Sequence, residues 1–235
     1  MTFSKRLLGE FIGSAFLLAI VVGSGIMAER LAAGNIAIAL LANAIATGTG
    51  LLAIIFMFSN LSGAHFNPVV TLSAMLQKNL GAKEFLAYSL AQIGGALVGV
   101  MVAHIMFELP LITASLHQRS GYAQLFSEFV ASFGLIAVII SCNRTKPTIT
   151  PFAVACYIVS AYWFTASTSF ANPAVTLARA LTNTFTGIRP AGVAAFIGAQ
   201  VAGAFTASFL FSWLYSQSAA SSDTVNTIRE TRTSA

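Results

Sequence analysis

Apolar residues run along this chain in long uncharged stretches, clearest at 36–58 and 85–107, with charges and polar residues gathered between them. A helix needs about 20 such residues to cross a bilayer. The pattern predicts spans at roughly 7–27, 36–58, 84–107, 122–142, 150–166 and 190–215. Two shorter segments, near 67–78 and 172–183, open with Asn67-Pro68-Val69 and Asn172-Pro173-Ala174 inside hydrophobic sequence. Asparagine caps helices and proline is tolerated at the first helical position, so each Asn-Pro reads as a helix start. A helix that starts at membrane depth leaves non-helical backbone there, which survives only if it is buried or lines a cavity. The stretches lack the ten-residue alternation of a membrane β-barrel.

The chain repeats itself. Leu8-Gly9-Glu10-Phe11-Ile12 recurs as Phe126-Ser127-Glu128-Phe129-Val130, and Val-Thr-Leu follows both Asn-Pro triplets. Ala91-Gln92-Ile93-Gly94-Gly95-Ala96 recurs as Ala199-Gln200-Val201-Ala202-Gly203-Ala204. The landmarks keep their order, which indicates duplication: a first repeat at 1–115 and a second at 116–215. Three spans per repeat is an odd number, so the second repeat inserts inverted, with the site at mid-membrane where the halves meet. The expected fold is therefore an all-α membrane protein with six transmembrane helices and two re-entrant half-helices. Gly94, Gly95 and Gly99 on the third span, and Gly198, Ala199, Ala202 and Gly203 on the sixth, are expected to allow close packing. The segment 216–235 turns polar and is expected to be a disordered cytoplasmic tail.

Composition agrees with a membrane location: 57% of residues are hydrophobic, 8% charged, and the mean hydropathy is +0.81. A soluble domain carries about 25% charged residues. Met1–Ala28 starts like a signal peptide, but its apolar run from Phe11 is long for one, and it reads as the first span. The pI near 9.6 could suggest a nucleic-acid partner, yet the basic residues are scattered at span ends. Only Arg30, Arg119, Arg179 and Arg189 fall on the side away from the termini. The positive-inside rule then places both termini in the cytoplasm, with the protein in the inner (plasma) membrane. Cys142 and Cys156 read as small packing residues. No metal-ligand, cofactor or nucleophile–base constellation is present in the sequence, so an enzyme is not expected.

Placed end to end, the half-helices would aim two positive N-termini at one point. Asn67 and Asn172 would cap them, leaving amides free to donate to a passing oxygen. Gly63-Ala64-His65 and Thr168-Ser169-Phe170 would offer carbonyls to the solute. Such a site repels cations and opposes proton hopping. Glu10 and Glu128 are ionisable groups at membrane depth, a functional signal by default. They either carry protons in a coupled secondary transporter or accept hydrogen bonds from re-entrant backbone, and their matched positions favour bracing. His65 reads as loop brace or pore lining; His104, one turn before Glu108, reads as half of a surface pair.

Ser-Gly-Ala-His-Phe-Asn-Pro-Val-Val at 62–70 and Asn-Pro-Ala-Val at 172–175 resemble the paired signatures of the aquaporin (major intrinsic protein) family. The first motif departs from the family in ending in Val69, where Ala is usual. The resemblance covers residues 5–215 and implies a homotetramer with one pore per subunit that carries small neutral solutes across the lipid bilayer. It also implies that Glu10 and Glu128 brace the loops.

The family filter, counted from the Asn-Pro motifs, falls on Thr47 (twenty before Asn67), Ser160 (twelve before Asn172), Ser169 (three before) and Val175 (three after). Val175 stands where the family usually has arginine, and Thr176 where glycerol facilitators have Asp. Three small hydroxyl side chains and a valine imply a wide, weakly polar opening. Residues 161–175 are similar to bacterial arsenic-resistance-associated channels that lack the filter arginine. That likeness implies trivalent arsenic hydroxides, methylated arsenicals and glycerol-like solutes as well as water. Arg179, one turn beyond Val175, reads as an outer-rim surface residue, with a restored positive field at the mouth as the alternative.

Overall fold

The computed structural model describes residues 1–233, with side chains as far as Ser216. Eight α-helices follow in order among the described residues: α1 Phe3–Leu31, α2 Ile36–Ser62, α3 Pro68–Leu76, α4 Ala82–Met106, α5 Tyr122–Thr145, α6 Thr150–Phe164, α7 Pro173–Arg179 and α8 Pro190–Thr233. A 3-10 turn at Pro147–Ile149 leads into α6. Six helices are long and apolar enough to span: α1, α2, α4, α5, Pro147–Phe164 and the Pro190–Ser216 part of α8. The segment expected to form the tail, 216–235, lies almost wholly beyond the described side chains.

Local chemistry sets the boundaries. Asn35 caps α2 by accepting from the Ile38 N–H at 3.2 Å. Gly63 closes α2 in the left-handed conformation (φ 92) that turns the chain back into the bundle. α3 and α7 begin at Pro68 and Pro173, each capped by the preceding asparagine.

The two halves use the same packing scheme. α1 lies against α4 and α2, α5 against α8 and α6, and both half-helices sit between α4 and α8. Contact between α2 and α6 joins the halves. The α1–α4 and α5–α8 seams depend on glycine. A Cβ on Gly95 would collide with the carbonyl of Phe11, one on Gly99 with that of Ala15, and one on Gly203 with that of Phe129. Gly198 does not share this role, since nothing in the protomer lies within 4 Å of where its Cβ would stand. Of the two free cysteines, Cys142 is half-buried, while Cys156 is exposed on α6 and does not pack in the protomer's interior.

His104 is not paired at the surface. It is buried at 1% exposure, and its Nδ1 lies 2.7 Å from the Pro110 carbonyl, to which it must donate. Its Nε2 then accepts from the Thr182 hydroxyl at 2.7 Å. The imidazole thus ties the end of α4 to the connection that follows it and to the turn after α7; Glu108 is exposed.

Gly95→Val or Gly203→Val should destabilise the protein by roughly 1–3 kcal/mol or more, because backbone cannot yield as a side chain can. Gly94→Ala, whose Cβ would stand 3.4 Å from the Phe11 ring, should be nearly neutral. Thermal unfolding of the purified protein in detergent measures both.

Candidate functional site

The two re-entrant loops share an unusual backbone. In the first, Gly63, Ala64 and Phe66 have φ of 92, 52 and 49; in the second, Thr168, Ser169 and Ala171 have 61, 50 and 48. A left-handed conformation costs about 1–2 kcal/mol for each non-glycine residue. It turns peptide groups out of any regular ladder, so their N–H groups need other acceptors.

Glu10 and Glu128 are those acceptors. Glu10 Oε1 accepts from His65 N at 3.0 Å and from Ser62 Oγ at 2.6 Å; Oε2 accepts from Phe66 N at 2.7 Å. Glu128 accepts from Phe170 N and Ala171 N, both at 2.9 Å. Gln92 donates to Glu10 (2.7 Å) and Thr71 (2.9 Å), and Gln200 repeats this with Glu128 (2.6 Å) and Thr176 (2.8 Å). Both carboxylates are wholly buried. Their acceptor positions are occupied by loop and glutamine donors, an arrangement that gives a proton-carrier role no support.

Asn67 and Asn172 meet across the pseudo-symmetry axis. The Oδ1 of Asn67 accepts from Val69 N at 3.0 Å, and that of Asn172 from Ala174 N at 2.9 Å and Val175 N at 3.3 Å. Each amide then donates to the other loop: Asn67 Nδ2 to Ala171 O at 2.8 Å, Asn172 Nδ2 to Phe66 O at 2.9 Å. The amides are therefore not wholly free, in contrast to the expectation from sequence. One of two hydrogens on each is spent on the opposite loop, and one remains.

A cavity of about 610 Å³ runs past this pair. At the end shared with the N-terminus it is lined by Arg6, Gln77, Asn143, Arg144 and Thr150; farther along come Thr47, Tyr162, Ser169, Val175 and Arg179. Leu51, Ile55, Val70, Leu135 and Ile158 supply apolar wall. Gly63, Ala64, His65, Ser169 and Phe170 also line it, and no protein hydrogen bond among the described residues ends on their carbonyls. The result is a track of acceptors and two amide donors against an apolar surface.

Not every expected residue reaches this cavity. Ser160 is exposed and outside it. The cavity face of α6 is Thr150, Val154, Ile158 and Tyr162, spaced by four, and Ser160 is two residues off that row. Tyr162, on that row, lines the cavity instead, with its hydroxyl 3.3 Å from Thr47 Oγ1. Thr168 also lies outside the lining; its Oγ1 accepts from Arg119 Nη1 at 3.3 Å. Val69 faces away, packed against Ile136 and Ile140 of α5 and Ala204 and Ala207 of α8. His65 does both things considered for it: it lines the cavity, and its Nδ1 sits 3.1 Å from Thr71 Oγ1.

Arg179 is not at the surface either. It is 2% exposed, its Nε donates to the Thr186 carbonyl, and its guanidinium lies 3.4 Å from the centre of the Phe170 ring. Arg119, read from sequence only as a marker of topology, approaches the same ring at 5.1 Å. It donates to Gly187 O at 2.9 Å and Ser167 O at 3.1 Å. Burial pushes the pKa of Arg119 below its ordinary value, partly offset by the field of Glu128. Tyr88, also unforeseen, donates to Ser62 O at 2.9 Å and accepts from Arg6 Nε at 2.7 Å.

The Major intrinsic protein family model matches residues 1–166 and 144–235. The chain belongs to that family. It is therefore a multi-pass membrane channel, not an enzyme. It is 49% identical over 211 residues to Aquaglyceroporin AqpS of Rhizobium meliloti (strain 1021), covering 90% of each chain. Against Aquaporin C of Dictyostelium discoideum it is 29% identical over 173 residues, 69% of this chain and 63% of that one. The fold matches the X-ray structure of the aquaglyceroporin from Plasmodium falciparum with a TM-score of 0.66 at 20% identity, over 91% of this chain and 96% of that one.

Glu10→Ala or Glu128→Ala should strip two buried backbone donors of their acceptor, at about 1–3 kcal/mol for each group left unsatisfied. The expected outcome is a large loss of folded protein, scored by monodisperse elution in detergent. A variant that stays fully folded and loses only a pH-driven flux would overturn the bracing role.

Proposed function

We propose that this channel passes small uncharged solutes of at least glycerol size, with water, and that trivalent arsenic hydroxides and methylated arsenicals are among them. The observation that carries the reading is Val175, an apolar side chain lining the cavity at the third residue after Asn172. With no guanidinium at that position, the outer part of the cavity joins two hydroxyls, on Thr47 and Ser169, to a valine and the tyrosine ring at 162. A solute with hydroxyls on one side and methyl groups or carbon on the other suits such a wall, because each face meets its own kind. Neutral arsenic hydroxides share the shape and hydrogen bonding of polyols, so no thiolate ligand is needed. The 49% identity to a protein named as an aquaglyceroporin favours a polyol-sized solute over strict water selectivity.

The assigned filter is Thr47, Tyr162, Ser169 and Val175, with Asn67 and Asn172 as the central donors. Both termini lie on the cytoplasmic face of the plasma membrane, a placement favoured by the lysines and arginines at span ends. Family membership favours a homotetramer, and the many large apolar side chains exposed on the protomer, such as Phe56, Trp163, Phe209 and Trp213, offer surface to lipid and to neighbouring copies.

Stopped-flow light scattering on proteoliposomes tests the filter. Val175→Arg should reduce glycerol and methylarsenite flux by roughly tenfold or more, a barrier of about 1.4 kcal/mol, while water flux persists. Tyr162→Ala should raise flux of the bulkier solute. Unchanged glycerol flux in both variants would remove these residues from the filter.

A further inference from the structure

Arg179 is the one charged side chain on either half-helix, and its position breaks the internal symmetry of the pore. Val70 and Val175 occupy matching places after the two asparagines, but one turn on, Ala74 matches Arg179. Both residues line the cavity. The arginine is fixed by packing: its Nε is held by the Thr186 carbonyl and its plane lies over Phe170. Its Nη1 and Nη2 donate to no protein group among the described residues. It has no carboxylate partner, since Arg6 with Glu84 is the ion pair found among the described residues. Ser169, 3% exposed and lining the same cavity, has a hydroxyl oxygen with no partner.

A buried guanidinium without a counter-charge or a full set of acceptors is costly, and this residue lines the space a solute crosses. Four residues along a helix displace a side chain by about 6 Å, and the loops at 32–35 and 107–121 lie on that side. We propose that Arg179 is the charged selectivity element of this pore, set one helical turn outward from Val175. Its fixed positive charge excludes cations, and its Nη groups, together with Ser169 Oγ, bind the oxygen of an entering neutral solute. This rests on the channel reading above and adds to it a division of labour: charge exclusion at Arg179, steric selection at Thr47, Tyr162 and Val175. The pore can then be open enough for a polyol at residue 175 without becoming a cation leak.

The test uses the full chain in proteoliposomes and two readouts, glycerol flux by light scattering and potassium leak by a voltage-sensitive dye under a potassium gradient. Arg179→Gln should raise the potassium leak by roughly tenfold or more, about 1.4 kcal/mol of barrier, and should lower glycerol flux without abolishing it, because the solute loses the Nη donors. Arg179→Lys should keep the low leak, because the charge is retained. Arg179→Met fills a similar buried volume and is measured alongside Arg179→Gln, so that at least one neutral variant reports from a folded pore. Low leak in a neutral variant that still conducts glycerol overturns the proposal, as does a leak in Arg179→Lys equal to that in the neutral variants. Wild-type protein that passes neither water nor glycerol overturns the channel reading itself, and this inference with it.

Discussion

Non-helical backbone cannot remain in the middle of a membrane unless something accepts its hydrogen bonds, and here two buried carboxylates do so. Glu10 takes the N–H groups of His65 and Phe66, and Glu128 those of Phe170 and Ala171. Hydrogen bonds to a charged group contribute about 1.5–3 kcal/mol each. Left-handed backbone at Ala64 and Phe66, or at Ser169 and Ala171, costs about 1–2 kcal/mol per residue. The terms are of the same size, so each carboxylate roughly offsets the strain of the loop it holds. Without that strain the carbonyls would close into a helix, and the cavity would lose its acceptors.

The second loop is the harder one to hold, which explains Arg119. The first loop begins its left-handed run with Gly63, for which φ of 92 is unstrained; the matching residue in the second is Thr168 at φ 61. A β-branched residue there is a genuine outlier. Arg119 bonds both the Thr168 hydroxyl and the Ser167 carbonyl beside it, and also Gly187 O. A long-range clamp thus does for the second loop what a glycine does for the first. Its position in the connection between the repeats shows that this connection supports the site as well as joining the halves.

The sequence made the six spans and two half-helices legible because each is a long uncharged run or an Asn-Pro set within one, and the internal repeat fixed their order. Glu10, Gln92 and the Asn pair were equally legible, since each occurs twice in register. Where no repeat partner exists, counting failed. Ser160 was placed by distance from Asn172 across a loop whose length is not fixed by any periodic signal, and the cavity face of α6 turned out to be two residues along. The spacing of Thr150, Val154, Ile158 and Tyr162 carried that information, but a wholly apolar helix gives no contrast to show which row faces inward. His104 and Arg179 were misplaced for a related reason. A polar side chain at a span end is read as exposed by default, and only the fold reveals that the loops after α4 and α7 cover both.

Departures from symmetry are therefore where this pore's individuality lies. The halves agree at the carboxylate, the glutamine, the asparagine and the valine after it; they differ at Gly63 against Thr168 and at Ala74 against Arg179. Both differences involve Phe170, whose ring centre lies 5.1 Å from the guanidinium of Arg119 and 3.4 Å from that of Arg179. One aromatic side chain in the second loop thus couples the clamp on the strained backbone to the charge at the cavity wall. Two cations on one ring repel each other, and they stay only because separate carbonyls, Gly187 O and Ser167 O for one and Thr186 O for the other, hold each in place. The segment from 182 to 189 does not itself line the cavity, yet its carbonyls at Thr186 and Gly187 fix where the two guanidiniums sit.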